Sequence, residues 1–381
     1  MVSSIAVMET LFADAFKERI GSETNADLRE MRERAYAVFG KIGFPEPRLE
    51  DWKYTNIGPM VSADWSVAET AVERGSDLAI DRLGKFDFER NGLTALNLAF
   101  AEITVLRISK ETAVDTPIEF KLAADDGQAI FPHIIVIAEA GSKATIVESY
   151  ASPAKGFTNA AIQIFVEDNA RLTHYRVQKE SADAFNYGVT EVTVGRGGSY
   201  DSTSINLGGA LSRHDIDVRF TAEGGEAWVD GLYMLGGSQH HDTHSIIDHM
   251  VPNCVSHQNY KGVLNDKSRA VFNGKVFVRE NAHGTDAQQS NKNLLLSNEA
   301  RVDTKPQLEI FNDDVKCSHG ATVGQLEEEE LFYLLTRGLP ETLARNLLTY
   351  GFAEEVINKI DIESIKTELD AAVLNRLNAA I

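Results

Sequence analysis

Cys317 and His319 stand two residues apart in VKCSHGATVG, at the end of the longer stretch 303–324, DTKPQLEIFNDDVKCSHGATVG. Leu308 and Ile310 alternate with Gln307 and Glu309, the period of a half-buried strand. Asn312, Asp313 and Asp314 form a turn cluster. Val315, Cys317 and His319 then alternate with Lys316 and Ser318. Side chains repeat every two residues on a strand, so Cys317 and His319 are expected on one side. A thiol beside an imidazole is a pair of metal ligands, or a nucleophile with its base. The same two residues also suit a buried thiol packed as a small hydrophobe beside a hydrogen-bonded histidine.

A second concentration is residues 239–257, QHHDTHSIIDHMVPNCVSH, with five of the ten histidines, two aspartates and Cys254. His240, Asp242 and His244 share one strand face, a plausible set of metal donors. The spacing is neither HExxH nor a zinc-finger pair, and Asp and His also pair as satisfied buried hydrogen bonds. No phosphate-binding GxxxxGK[ST] and no GxSxG occur. The glycines of 195–199 and 207–209 read as turns, and Asn273 to Lys275 (NGK) as a hairpin or rung turn.

These residues need a frame. Residues 1 to about 40 carry helical spacing: Leu11, Phe12, Ala15, Phe16 and Ile20, then Leu28, Met31, Ala35, Val38 and Phe39 after a cap at Thr24. Gly40, Gly43 and Pro45 stop the second helix. Trp52 and Tyr54 in RLEDWKYTNI mark a segment that docks two aromatics on the main body. From about Ile103 the texture is short alternating strands with turns near Gly141, Asn169, Gly197, Gly224, Lys267 and Asn298, at first about 28 residues apart. Such spacing predicts a parallel β-helix, with a β-sandwich as the competing arrangement. Helical periodicity returns after Gly324, through Leu331, Phe332, Leu334 and Leu335 and three further segments. An apolar stripe left uncovered there would be a partner surface. The expected division is a mixed, largely helical part over 1–100, a β-helix core over 101–322 and a helical domain over 323–381, the helices closing both ends of the solenoid.

The net charge of −20 argues against nucleic acid and anionic membranes as partners. Two cysteines exclude a disulfide framework, and with no basic leader at residue 1 the expected location is cytoplasmic. No apolar run is long enough to span a bilayer.

NYKGVLND, AVFNGKVFVR, QQSNKNLLLS, the 303–324 stretch, LFYLLTRG and WKYTN together resemble the SufB/SufD family of iron–sulfur cluster assembly scaffolds, densely over 240–355. The resemblance implies a right-handed parallel β-helix between helical ends. It implies pairing with SufB through the β-helix edge, and binding of the SufC ATPase by the C-terminal helices. It also implies a non-catalytic subunit with a transient iron–sulfur cluster shared at the SufB interface, none resident in the isolated chain. His319 matches the histidine ligand and Cys317 its neighbour, with Cys317 open between ligand, sulfur relay and packing. The SufB branch carries a cysteine near the position of Asn291, so the SufD branch fits better and this chain is not expected to accept sulfur. An edge that meets a paralogue can also pair with itself, so a homodimer is expected in isolation. The competing reading is a free-standing β-helix metalloenzyme or carbohydrate-active protein using His240, Asp242 and His244.

Overall fold

The computed structural model describes residues 12–70 and 77–379. Leu11 and the residues before it lie outside the described residues.

Eighteen strands are present among the described residues. The first are β1 (Ser66–Val67), β2 (Glu102–Ile108), β3 (Ile118–Leu122), β4 (Gln128–Ile130), β5 (Pro132–Ala138) and β6 (Lys143–Tyr150). The middle six are β7 (Phe157–Val166), β8 (Arg171–Gln178), β9 (Phe185–Val194), β10 (Ser199–Asn206), β11 (Leu211–Phe220) and β12 (Glu226–Leu235). The last are β13 (His240–His249), β14 (Val255–Leu264), β15 (Arg269–Val278), β16 (Thr285–Leu295), β17 (Arg301–Ile310) and β18 (Val315–Gly324). Odd strands from β7 to β17 form one sheet and even strands from β6 to β18 the other, all pairs parallel. The chain therefore winds as a parallel β-solenoid of about eight turns, alternating between sheets once per strand. Ser199 aligns with Arg171 below and Glu226 above, steps of 28 and 27 residues.

The turns explain that period. Gly141, Asn169, Gly197 and Gly224 all have left-handed backbone, with φ between 58° and 75°. They stack: the Gly141 N–H donates to Asp168 O, Asn169 N–H to Arg196 O and Gly197 N–H to Glu223 O. At Gly197 both the positive φ and an Asn169 Oδ1 lying 2.7 Å from where a Cβ would sit demand glycine. Asn273 to Lys275, by contrast, lies inside β15 rather than in a turn.

Alternation sorts each strand into an inward and an outward row. The inward rows build one continuous core, from Ile134 and Ile162 through Phe220 and Tyr233 to Phe272 and Ala287. The outward row of the odd-numbered sheet is covered up to Leu211 by the N-terminal helices α1 (Ala13–Ser22), α2 (Ala26–Ile42), α3 (Gly58–Val61), α4 (Ile80–Leu83) and α5 (Gly92–Phe100). Asn25, not Thr24, caps α2 by accepting from the Leu28 N–H, and Gly43 closes it at φ 64°. The outward row of the even-numbered sheet is covered by α7 (Glu341–Ile357) and α8 (Glu363–Ala379), with α6 (Glu328–Thr336) preceding them. Gly351 does not interrupt α7, so the last region holds two long helices where three segments were expected. The helices thus plate the two flanks of the solenoid and leave its C-terminal end open. Among the described residues no helix is long and apolar enough to cross a membrane.

Candidate functional site

Among the described residues β17 and β18 are each hydrogen-bonded on one side only, to β15 and β16. Both are ten residues long, β17 mostly half-buried and β18 largely exposed, and they present the row of free backbone groups that invites another strand. Phe311 is 54% exposed and Val323 48%. The 303–324 stretch forms the strand, turn and strand its alternation predicted. The two strands do not form a hairpin, because they belong to opposite sheets.

Cys317 and His319 lie on the inward row of β18, in register with Ala287 and Gln289 of the buried rung beneath. Cys317 packs against the core, and burial raises its thiol pKa above the ordinary value. His319 is exposed because no further rung covers it. Its Nδ1 lies 3.1 Å from the Pro306 carbonyl of β17, across the mouth of the solenoid. A carbonyl only accepts, so Nδ1 donates, and in the neutral imidazole the lone pair is then on Nε2. Metal-binding histidines are oriented this way. Lys316 points away on the exposed outer row.

Beneath His319, Gln289 Nε2 donates to Gln258 at 2.6 Å, and Gln258 donates to Ser245 at 2.8 Å. Asn291 is fully buried one rung down, in register with Ala321, and donates to the Tyr233 hydroxyl at 3.0 Å. Asn293 donates to Asn291 at 2.6 Å and to Thr322 O of β18 at 3.3 Å. This polar ladder ties the last rung to the one below. The sequence pattern did not single out Gln289, Asn291 and Asn293 as an inward row. Their order became visible once the register was known.

His240, Asp242 and His244 do lie on one face of β13, the outer one. Asp242 is buried and accepts from Thr55 Oγ1 at 2.6 Å and from Arg213 Nη1 at 2.8 Å, with His244 Nε2 at 3.1 Å. His240 meets the same Thr55 hydroxyl at 2.9 Å. Arg213 holds the Asp242 carboxyl well below the usual range against the opposing effect of burial. Arg213 also stacks on Trp52, 3.8 Å from the ring centre. As built, this network clamps the Trp52 segment onto β11 and β13. Trp52 is buried as expected, whereas Tyr54 is 36% exposed beside Arg269. Among the described residues no three His, Cys, Asp or Glu side chains converge on a point that could hold a metal ion.

Comparison with known proteins matches residues 120–352 to the SUF system FeS cluster assembly SufBD core domain and residues 7–79 to the SufBD protein N-terminal region. An iron–sulfur cluster assembly SufBD family protein of Synechocystis is 35% identical over 345 residues, covering 87% of this chain and 75% of that protein. The iron–sulfur cluster assembly protein SufD of Escherichia coli is 37% identical over 251 residues, 65% of this chain and 59% of its own length. SufD of Bacillus subtilis is 29% identical over 318 residues, 80% of this chain and 71% of its own. The matched core carries the open rung and its Cys/His pair. The chain belongs to the SufBD family of SUF iron–sulfur cluster assembly proteins.

Proposed function

We propose that the chain is a non-catalytic scaffold subunit that pairs with a SufB-type paralogue through β17 and β18, with His319 ligating a nascent iron–sulfur cluster at that junction. The observation that carries this reading is the His319 tautomer. Nδ1 is spent on Pro306 O, and Nε2 is free on a rung that nothing covers. Thr304 Oγ1 and Gln307 Oε1 of β17 and Gln289 Oε1 below are buried acceptors without donors, the kind of groups an abutting chain would satisfy. The cluster is cargo, and one imidazole cannot hold it alone, so the paralogue must supply thiolates. The SufB-branch cysteine falls near the position of Asn291, which here is engaged in the buried ladder and is no thiol, so this subunit is not expected to receive sulfur there.

The SufC-type ATPase is assigned to the C-terminal helices. Phe332 is 67% exposed and Tyr333 56%, and α6 buries no residue. Leu343 and Leu347 of α7 extend the apolar surface. Such a patch marks an interaction site. The proposed setting is the cytoplasm, and in the absence of the paralogue two copies pair through the same edge.

The test is cluster formation on the reconstituted three-component complex. His319→Ala abolishes or strongly slows the growth of iron–sulfur absorbance while the complex still assembles. Unchanged cluster formation would remove His319 from the site.

A further inference from the structure

The helical cover of the odd-numbered sheet ends at Leu211, and beyond it a polar cleft of about 290 Å³ opens on the outward rows of β11, β13 and β15, walled by the Trp52 and Asn91 segments. Its volume corresponds to roughly ten water molecules at about 30 Å³ each. We propose that this cleft binds a small zwitterion of α-amino-acid size, with an ammonium donating to Asp217 and Asn273 and a carboxylate facing Lys275.

Asp217 Oδ2 accepts from Arg90 Nη2 and Arg219 Nη2, each at 2.7 Å. Its other oxygen, Oδ1, is buried and has no donor. The side-chain oxygen of Asn273, a residue 8% exposed, is likewise buried without one. Leaving such buried acceptors unmet is unfavourable, so the geometry calls for N–H donors in the cleft. Lys275 follows Asn273 on the same outward row, lines the cleft and makes no close ion pair among the described residues, its charge reaching Glu50 only at longer range.

Charge narrows the occupant. Four aspartates, three arginines and Lys275 line the cleft, which is close to neutral and favours a net-neutral guest. A bare divalent cation would face the two guanidiniums already on Asp217 with no anionic group of its own to offset them. A bare anion would approach Asp215 and Asp217 and leave both orphan oxygens unmet. Asp217, Ile246 and Lys275 occupy one register line across three strands. The aspartate and lysine backbones are therefore about 10 Å apart, a gap that their side chains and an amino acid between them fill. The terminal rung plays no part in this site, so failure of either assignment leaves the other standing.

The test uses the full chain and ligand-observed NMR with glycine, L-alanine and L-serine, against ethylamine, acetate and inorganic phosphate. Saturable binding of the amino acids, with none of the one-charge probes binding comparably, is expected. Lys275→Ala, on the cleft rim, weakens it roughly tenfold or more with an unchanged melting temperature. Asn273→Asp, which keeps the orphan oxygen and adds charge, retains amino-acid binding. No saturable amino-acid binding, equal binding of acetate or phosphate, or binding indifferent to Lys275→Ala would overturn the assignment.

Discussion

The Pro306 carbonyl can only accept, so the His319 proton resides on Nδ1 and the ring presents Nε2 to whatever closes the open rung. Cys317 sits two residues earlier on the same inward row but faces packed core, and burial moves its thiol away from the thiolate. A thiol held protonated is a poor nucleophile and a poor ligand until its surroundings change. We therefore expect Cys317 in the isolated chain to react with iodoacetamide more slowly than free cysteine at pH 7.5, and fully buried Cys254 more slowly still. Alkylation of Cys317 faster than free cysteine would show an activated thiol instead. At the same scale, His241 is buried between Ser212 and Thr243 hydroxyls, and burial pushes its pKa down to about 3. His133 and His249 are pushed down to about 4. The unfolded chain takes up these protons near pH 6.5 and the folded chain does not. The stability they contribute is thus complete above pH 6.5 and is lost as pH falls from there towards 3 to 4. The melting temperature should decline between pH 6.5 and 5, with buried Glu191, whose carboxyl burial pushes up to about 7, opposing part of the fall. His241→Gln should flatten that decline, and an unaltered slope would mean that the imidazole already carries its proton in the fold.

Between strands, small residues make room for large ones. A Cβ on Gly262 would lie 2.2 Å from the Tyr233 ring and 2.4 Å from Asn293 Oδ1, and one on Gly231 2.2 Å from the Tyr260 ring. Gly262→Ala should destabilise the fold by about 1–3 kcal/mol through overpacking, read as a lower urea midpoint with an unchanged slope. Wild-type stability would show that the ladder shifts freely. The same crowding explains why Asn273 to Lys275 misleads. Asn-Gly is the commonest signal of a tight hairpin, yet here Gly274 is mid-strand because Gln289 Nε2 lies 2.3 Å from where its Cβ would be. A local signal cannot reveal a requirement imposed by a residue fifteen positions later. The positive-φ turns were legible because their spacing repeats. The Asn91–Thr94 capping box that starts α5 was present in the sequence but lay in a stretch without periodicity to frame it. The pairing of Cys317 and His319 on one row followed from strand period alone. Their difference in exposure did not, since it depends on β18 being last.

For the whole molecule, the placing of the helices was the least readable feature. Amphipathic stripes show that a helix must cover something, and both solenoid ends and solenoid flanks satisfy that condition. The flanks win because the outward rows of both sheets are themselves apolar, as at Phe157, Phe165 and Phe185 on one side and Val177, Ile205 and Leu232 on the other. The C-terminal edge is consequently free to associate. Phe311→Lys with Val323→Lys should convert a dimer of the isolated chain to monomer in light scattering and abolish pairing with the paralogue, while far-UV circular dichroism is retained. Retained association would place the interface elsewhere.

In this winding, each strand from β5 onward offers its backbone groups to the strand two positions later, so each growing edge is consumed by the chain's own continuation. After Gly324 the chain turns into helix, and among the described residues the edge of β17 and β18 is the one in that succession left unconsumed. During synthesis it also forms last of the solenoid edges, when the rungs that position His319 have already left the ribosome. The free edge is thereby timed, arriving only when the rungs behind it are complete.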